Sequence, residues 1–102
     1  MRAAVWTGPR EIEIQGVEQP PTPAGELLLK VNTVGICGSE LSGYLGQTSL
    51  RVPPLIMGHE FGATVIEVGE GVEGFAVGDR VTANPMVPDR SCVMCRSGYE
   101  NL

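Results

Sequence analysis

A chain of 102 residues with seven basic and twelve acidic side chains carries a formal charge of −5, which argues against an electrostatic nucleic-acid binder and against attraction to anionic lipid. Hydrophobic residues make up 42% and charged residues 19%, so the chain belongs with ordinary globular proteins rather than disordered ones. One domain fits this length, a two-domain enzyme does not, and such a domain buries roughly 60–70% of its unfolded surface.

In chain order, Arg2 to Trp6 and Glu11 to Gln15 predict an opening pair of strands joined by the turn Thr7-Gly8-Pro9-Arg10. The prolines of Gln19-Pro20-Pro21-Thr22-Pro23 force an extended connection. Leu27 to Val34 predicts a strand with Leu27, Leu29 and Val31 on one face and Leu28, Lys30 and Asn32 on the other, and it delivers the chain to Cys37. Ser39 to Leu45 predicts one or two helical turns with Ser39 as N-cap, after which Arg51-Val52-Pro53-Pro54 is extended again. Ala63 to Val68 and Arg80 to Ala83 predict two further strands. The fourteen glycines and eight prolines between these short runs indicate a mainly β domain, α+β at most.

The stretch from Gly69 through Gly71 to Gly74 matches G-x-G-x-x-G literally, but Phe75 to Arg80 leads into another strand where a dinucleotide fingerprint opens a helix. Its glycines are expected to shape a loop. No apolar run reaches the length of a membrane span or a secretory segment. With three cysteines, two of them spaced to grip a metal, a soluble protein of a reducing cytoplasm is expected.

The only histidine, His59, sits in Met57-Gly58-His59-Glu60-Phe61, and Cys37 is followed by Gly38-Ser39-Glu40. Taken singly, a histidine beside apolar residues is more often a satisfied core residue, and a cysteine at a strand end a small buried hydrophobe. Together they place a thiolate, an imidazole, a hydroxyl and two carboxylates on two glycine-flexed turns. Thiolate and imidazole suit zinc, and a catalytic zinc typically takes three protein ligands and leaves the fourth position open. The pair Cys92-x-x-Cys95 is by itself compatible with metal binding or with a redox dithiol.

Four segments in order, Val34-Gly35-Ile36-Cys37-Gly38-Ser39-Glu40, Gly58-His59-Glu60-Phe61, Val68-Gly69-Glu70-Gly71-Val72 and Gly78-Asp79-Arg80-Val81, resemble the zinc-dependent medium-chain alcohol and polyol dehydrogenases. The resemblance covers essentially the whole chain. It implies the front portion of their catalytic domain, a GroES-like, partly open β-barrel with short helical turns. By position it implies that Cys37 and His59 ligate catalytic zinc, that Glu60 lies beside the metal and can enter its shell, and that Glu40, where relatives usually carry aspartate, braces the far nitrogen of His59. Ser39 then resembles the hydroxyl that bonds the substrate oxygen and takes its proton. Many relatives pass that proton to a histidine three residues on, a position held here by Ser42.

In the same family a structural zinc lobe has the spacing C-x2-C-x2-C-x7-C. Asp89 stands in place of its first cysteine, Cys92 and Cys95 follow, the segment from Arg96 to Leu102 matches the closing part, and the fourth ligand is expected just beyond this chain. The expectation is therefore an incomplete catalytic domain over residues 1–102. Its parent would oxidise a small-molecule alcohol, polyol or sugar with NAD or NADP bound by a separate Rossmann domain, and would be a homo-oligomer. The 102 residues alone are expected to be inactive. Three other readings stand beside this one: a stand-alone GroES-like module with purely structural zinc, a variant pooling Cys37, His59, Cys92 and Cys95 in one closed site, and a zinc-free reductase of the same superfold.

Overall fold

A computed structural model describes residues 1–101; Leu102, the last residue of the closing segment matched above, lies outside the described residues. The first two strands, β1 (Arg2–Gly8) and β2 (Glu11–Gly16), form an antiparallel hairpin. Then follow β3 (Leu27–Val34), helix α1 (Gly38–Tyr44), β4 (Phe61–Val68), β5 (Arg80–Val81) and a single helical turn, α2 (Val93–Arg96). The strands form a two-stranded sheet β1-β2 and a three-stranded antiparallel sheet β3-β4-β5. The architecture is mainly β, as expected, and the two sheets do not close into a barrel among the described residues.

The core is small. Val5, Trp6, Leu28, Ala63 and Val65 are its buried apolar residues, and Val65 has no exposure at all. Leu28 and Val65 come from β3 and β4, the most extensively paired strands, so the core sits on one face of the larger sheet. Val65→Ala removes two methyl groups from a site with no room to collapse, and is expected to cost about 2 kcal/mol, read as a lowered urea midpoint.

The strict two-residue alternation expected of Leu27 to Val34 does not hold along the whole strand. The β3-β4 register slips between Leu28 and Leu29, where Ile66 is the extra residue on β4, and again between Val31 and Thr33, where Asn32 is the extra residue on β3. Leu28 is buried and Val31 is 55% exposed. Only the second irregularity inserts a residue in β3, so it changes the facing of Thr33 and Val34 relative to the residues before it. The fifth strand stops at Val81 instead of Ala83, because only Arg80 and Val81 find partners, Thr64 and Ala63, on β4.

Two long-range ties hold the segment between α1 and β4 against the hairpin. Trp6 and Leu55 exchange backbone hydrogen bonds, Trp6 N–H to Leu55 O at 2.8 Å and Leu55 N–H to Trp6 O at 3.0 Å. At the hairpin turn, Arg10 N–H donates to Tyr44 O at 2.7 Å, and the Tyr44 hydroxyl donates to Arg10 O at 3.0 Å. The C-terminal end of α1 and the approach to His59 are thereby fixed relative to the hairpin.

The loop Gly69-Glu70-Gly71-Val72-Glu73-Gly74 opens no helix. Gly69 N–H donates to Glu26 O and Gly25 N–H to Glu70 O, so this loop is bonded to the turn that precedes β3. These glycines shape a loop, as expected. No helix of the described residues is long and apolar enough to cross a membrane.

Candidate metal centre

The pairing of β3 with β4 ends at Val34 opposite Phe61. In an antiparallel ladder, residues just after the end of one strand lie beside residues just before the start of the other. Cys37 and His59 therefore meet because of the sheet register, and Gly35 N–H donating to Glu60 O at 2.6 Å closes the seam between them. Gly58, at φ +129, allows this approach: a Cβ there would lie 2.8 Å from Val34 Cγ2.

Helix α1 begins on the ligand itself. Cys37 is its N-cap, with extended ψ of 158°, and the Glu40 carboxylate reaches back to accept Cys37 N–H at 3.1 Å. That is the carboxylate half of a capping box, and it starts the helix two residues before the cap expected at Ser39. Ser39 lies instead inside the first turn, exposed, with its Oγ accepting from Arg51 Nη2 at 3.1 Å.

Among the described residues, Glu40 is the only charged one that is buried, and it is the hub of the site. Its Oε1 lies 2.8 Å from His59 Nδ1 and accepts from Arg51 Nη1 and Nη2, each at 3.1 Å. Burial pushes the Glu40 carboxyl up, but Arg51, His59 and Cys37 N–H together outweigh it and hold it below the ordinary carboxylate range. An ionised carboxylate can only accept, so His59 Nδ1 carries the proton and Nε2 keeps its lone pair. The extra methylene of glutamate over aspartate does not prevent this brace.

Donor atoms of Cys37, Glu40 and His59 lie within 4.8 Å of one another. Since both Glu40 oxygens already accept hydrogen bonds, the side chains left to hold a metal are the Cys37 thiol and the His59 imidazole. This soft-plus-imidazole donor set fits zinc. Glu60 is outside that cluster of three. It is exposed, its Oε2 would lie 3.1 Å from a Cβ on Gly35, and it lines, with His59, Phe61 and Thr82, an open cleft of about 610 Å³.

Asp89, Cys92 and Cys95 form a second, separate cluster within the same 4.8 Å limit. Asp89 Oδ1 accepts Ser91 N–H at 2.7 Å and Cys92 N–H at 2.9 Å, and Cys92 caps α2 by accepting Cys95 N–H on its sulfur at 3.4 Å. The N–H groups of Cys92 and Ser91 hold the Asp89 carboxyl below its ordinary range. The Cys92 thiol is pulled down by the Cys95 N–H, while Cys95 is pushed up by Cys92 beside it. The turn α2 is not foreseeable from periodicity, since Val93 to Arg96 is too short to show one. All three cysteines are free.

The sequence around Arg51 predicts only an extended segment. A lone arginine in the apolar, proline-rich stretch Leu50-Arg51-Val52-Pro53-Pro54 was the available signal, because a cation there must find a counter-charge or solvent. It is only 19% exposed at its side chain, and its counter-charge is Glu40.

Residues 23–102 match the family described as the alcohol dehydrogenase GroES-like domain. The (R,R)-butanediol dehydrogenase of Bacillus subtilis is 42% identical over 97 residues, covering 84% of this chain and 28% of that enzyme. An Escherichia coli alcohol dehydrogenase crystallised with NADH superposes with a TM-score of 0.86 at 38% identity, over 99% of this chain and 29% of that one. The cobalt- and zinc-bound alcohol dehydrogenase of Pyrobaculum aerophilum does so with a TM-score of 0.86 at 29% identity, over 100% of this chain and 32% of that one. The chain thus spans about 30% of the length of the curated relatives it matches. With its sheets, its Cys37 and His59 turns and these matches in place, the chain belongs to the alcohol dehydrogenase GroES-like domain family.

Proposed function

We propose that this chain is the zinc-binding part of the catalytic domain of an NAD(P)-dependent dehydrogenase that oxidises an alcohol, polyol or sugar. The observation that carries the reading is the 2.8 Å bond from His59 Nδ1 to Glu40, which leaves Nε2 as the ring's ligand atom, on an imidazole that clusters with Cys37. Zinc held by Cys37 and His59 would supply a Lewis acid that makes an alcohol hydroxyl easier to deprotonate. Ser39, exposed at the start of α1, bonds the substrate oxygen and handles its proton. Glu60, on the wall of the open cleft, is placed to compete for the metal as substrate enters and leaves. Asp89, Cys92 and Cys95 hold a second zinc with a structural role.

The third catalytic ligand, the nicotinamide site and the remainder of the catalytic domain come from further chain in this reading. A radius of gyration of 16.0 Å, against about 13 Å for a compact chain of this length, supports it. So does the 85% exposure of Ile36 beside Cys37, which a neighbouring segment would cover. A cytoplasmic, homo-oligomeric parent belongs to the same reading.

Metal counting on the full-length protein tests the proposal. Cys37→Ser is expected to remove one zinc and abolish nicotinamide-dependent alcohol oxidation, while Cys92→Ser removes the other zinc and lowers stability. The two clusters are separate in space, so the losses are expected to be independent. A single zinc lost on either change would instead establish a pooled structural site. Turnover by residues 1–102 alone would contradict the expectation that the nicotinamide comes from elsewhere.

A further inference from the structure

We propose that Arg51 is the positioning residue of this centre, one guanidinium that presses Glu40 against His59 and sets the direction of the Ser39 hydroxyl. The inference rests on the zinc-site reading above and deepens it. Arg51 Nη1 and Nη2 both donate to Glu40 Oε1 at 3.1 Å, Nη2 also donates to Ser39 Oγ at 3.1 Å, and Nη1 approaches Met57 Sδ at 3.4 Å. A planar fork of fixed donors can hold a carboxylate and a hydroxyl at once, which a lysine ammonium on a flexible stem does less well.

Helix α1 is shaped around this side chain. A Cβ on Gly43 would lie 2.5 Å from Arg51 Cδ, 3.1 Å from Nε and 3.2 Å from Nη1, so Arg51 crosses the helix where the helix has no side chain. Glycine in a helix interior is disfavoured by about 1 kcal/mol relative to alanine. Its presence at Gly43, itself buried, is explained by the passage it leaves for Arg51.

Two consequences follow for the chemistry. Glu40 Oε1 takes its hydrogen bonds from Arg51 and His59, so without Arg51 a buried carboxylate would have no permanent cation and would be free to swing from the imidazole. Ser39 Oγ accepts from a group that cannot be deprotonated, so one lone pair is fixed on Arg51 while its hydrogen and its other lone pair stay available for exchange with a substrate oxygen. Arg51 touches neither metal ligand directly, and it acts through Glu40 and Ser39.

The test uses the full-length protein, with zinc affinity from chelator competition and kcat and KM for an alcohol measured separately. Arg51→Met is expected to weaken the Cys37-dependent zinc by about 10- to 100-fold, the range for loss of a group that orients a ligand. It should also lower kcat more than it raises KM. Gly43→Ala adds a methyl that displaces Arg51 from Glu40 while favouring the helix, which offsets part of the lost pairing, so it is expected to fold and to release zinc more readily. In a Glu40→Gln background, Arg51→Met is expected to cost little further affinity, because the route through Glu40 is already lost.

The proposal is overturned if Arg51→Met and Gly43→Ala both leave zinc affinity and kcat within about twofold of the parent, or if the Arg51 and Glu40 effects on zinc simply multiply. Should Arg51→Met fail to fold, Gly43→Ala decides. Failure of the underlying reading looks different: Cys37→Ser would then keep its full zinc content.

Discussion

Glu40→Gln is expected to cost the metal-free chain about 2–4 kcal/mol, because it removes a buried charge while leaving its partner Arg51 in place. The amide is nearly the same size, so the loss is electrostatic and not a cavity. Its NH2 group must face Arg51 or Cys37 N–H, and a donor then meets a donor on whichever side it turns. Urea unfolding with zinc chelated measures the loss, and chelator competition should show about 10- to 100-fold weaker binding at the Cys37 and His59 site. A change below 1 kcal/mol would mean that Glu40 is not the hub its hydrogen bonds suggest.

The acid dependence follows with a definite sign. Because the folded state holds the Glu40 carboxyl below its ordinary range, the unfolded chain takes up this proton first as pH falls. The stabilisation is complete above the ordinary carboxylate range and is lost as pH drops through the depressed folded value. As pH falls through and below the ordinary carboxylate range, the parent should lose stability more steeply than Glu40→Gln.

Gly69→Ala is expected to have the largest effect on stability, about 3–5 kcal/mol, enough to leave little of the fold of a domain this small. A Cβ on Gly69 would lie 2.2 Å from Pro23 O and 2.7 Å from Glu26 O. Both are backbone atoms already accepting hydrogen bonds, Pro23 O from Glu26 N–H and Glu26 O from Gly69 N–H, so neither can move without loosening this turn. Gly71, two residues on, is the control. Its φ is +79 and nothing lies within 4 Å of a Cβ there, so Gly71→Ala should cost only about 1–2 kcal/mol for the left-handed conformation. Thermal melting separates the two, since each kcal/mol moves the midpoint by about 4–8 °C at this size.

How far the sequence carries depends on whether a feature is local. β1, β2 and β3 start where alternation and turn residues place them, and the Gly69 loop is recognisable because strand residues follow it. The cap at Cys37 escapes local pattern, because cysteine is not a usual cap and the carboxylate that makes it one lies three residues later. The slips at Ile66 and Asn32 escape it too, because they depend on how β3 and β4 pair, which neither strand encodes alone. In the centre, Cys37, His59 and Glu40 could be named from their motifs. Arg51 could not, since its role needs the loop after α1 to fold back over Gly43, and no spacing rule brings those positions together.

The two donor clusters differ in how much of the chain must be ordered before each exists. Asp89, Cys92 and Cys95 lie in one short segment already shaped by its own Asp89 turn, so this lobe can collect its donors with little loop-closure entropy. Cys37 and His59 become neighbours only when β3 and β4 have paired to the end of their ladder. The lobe can thus capture metal early on a growing chain, whereas metal retained by Cys37 and His59 reports that the sheet has been assembled.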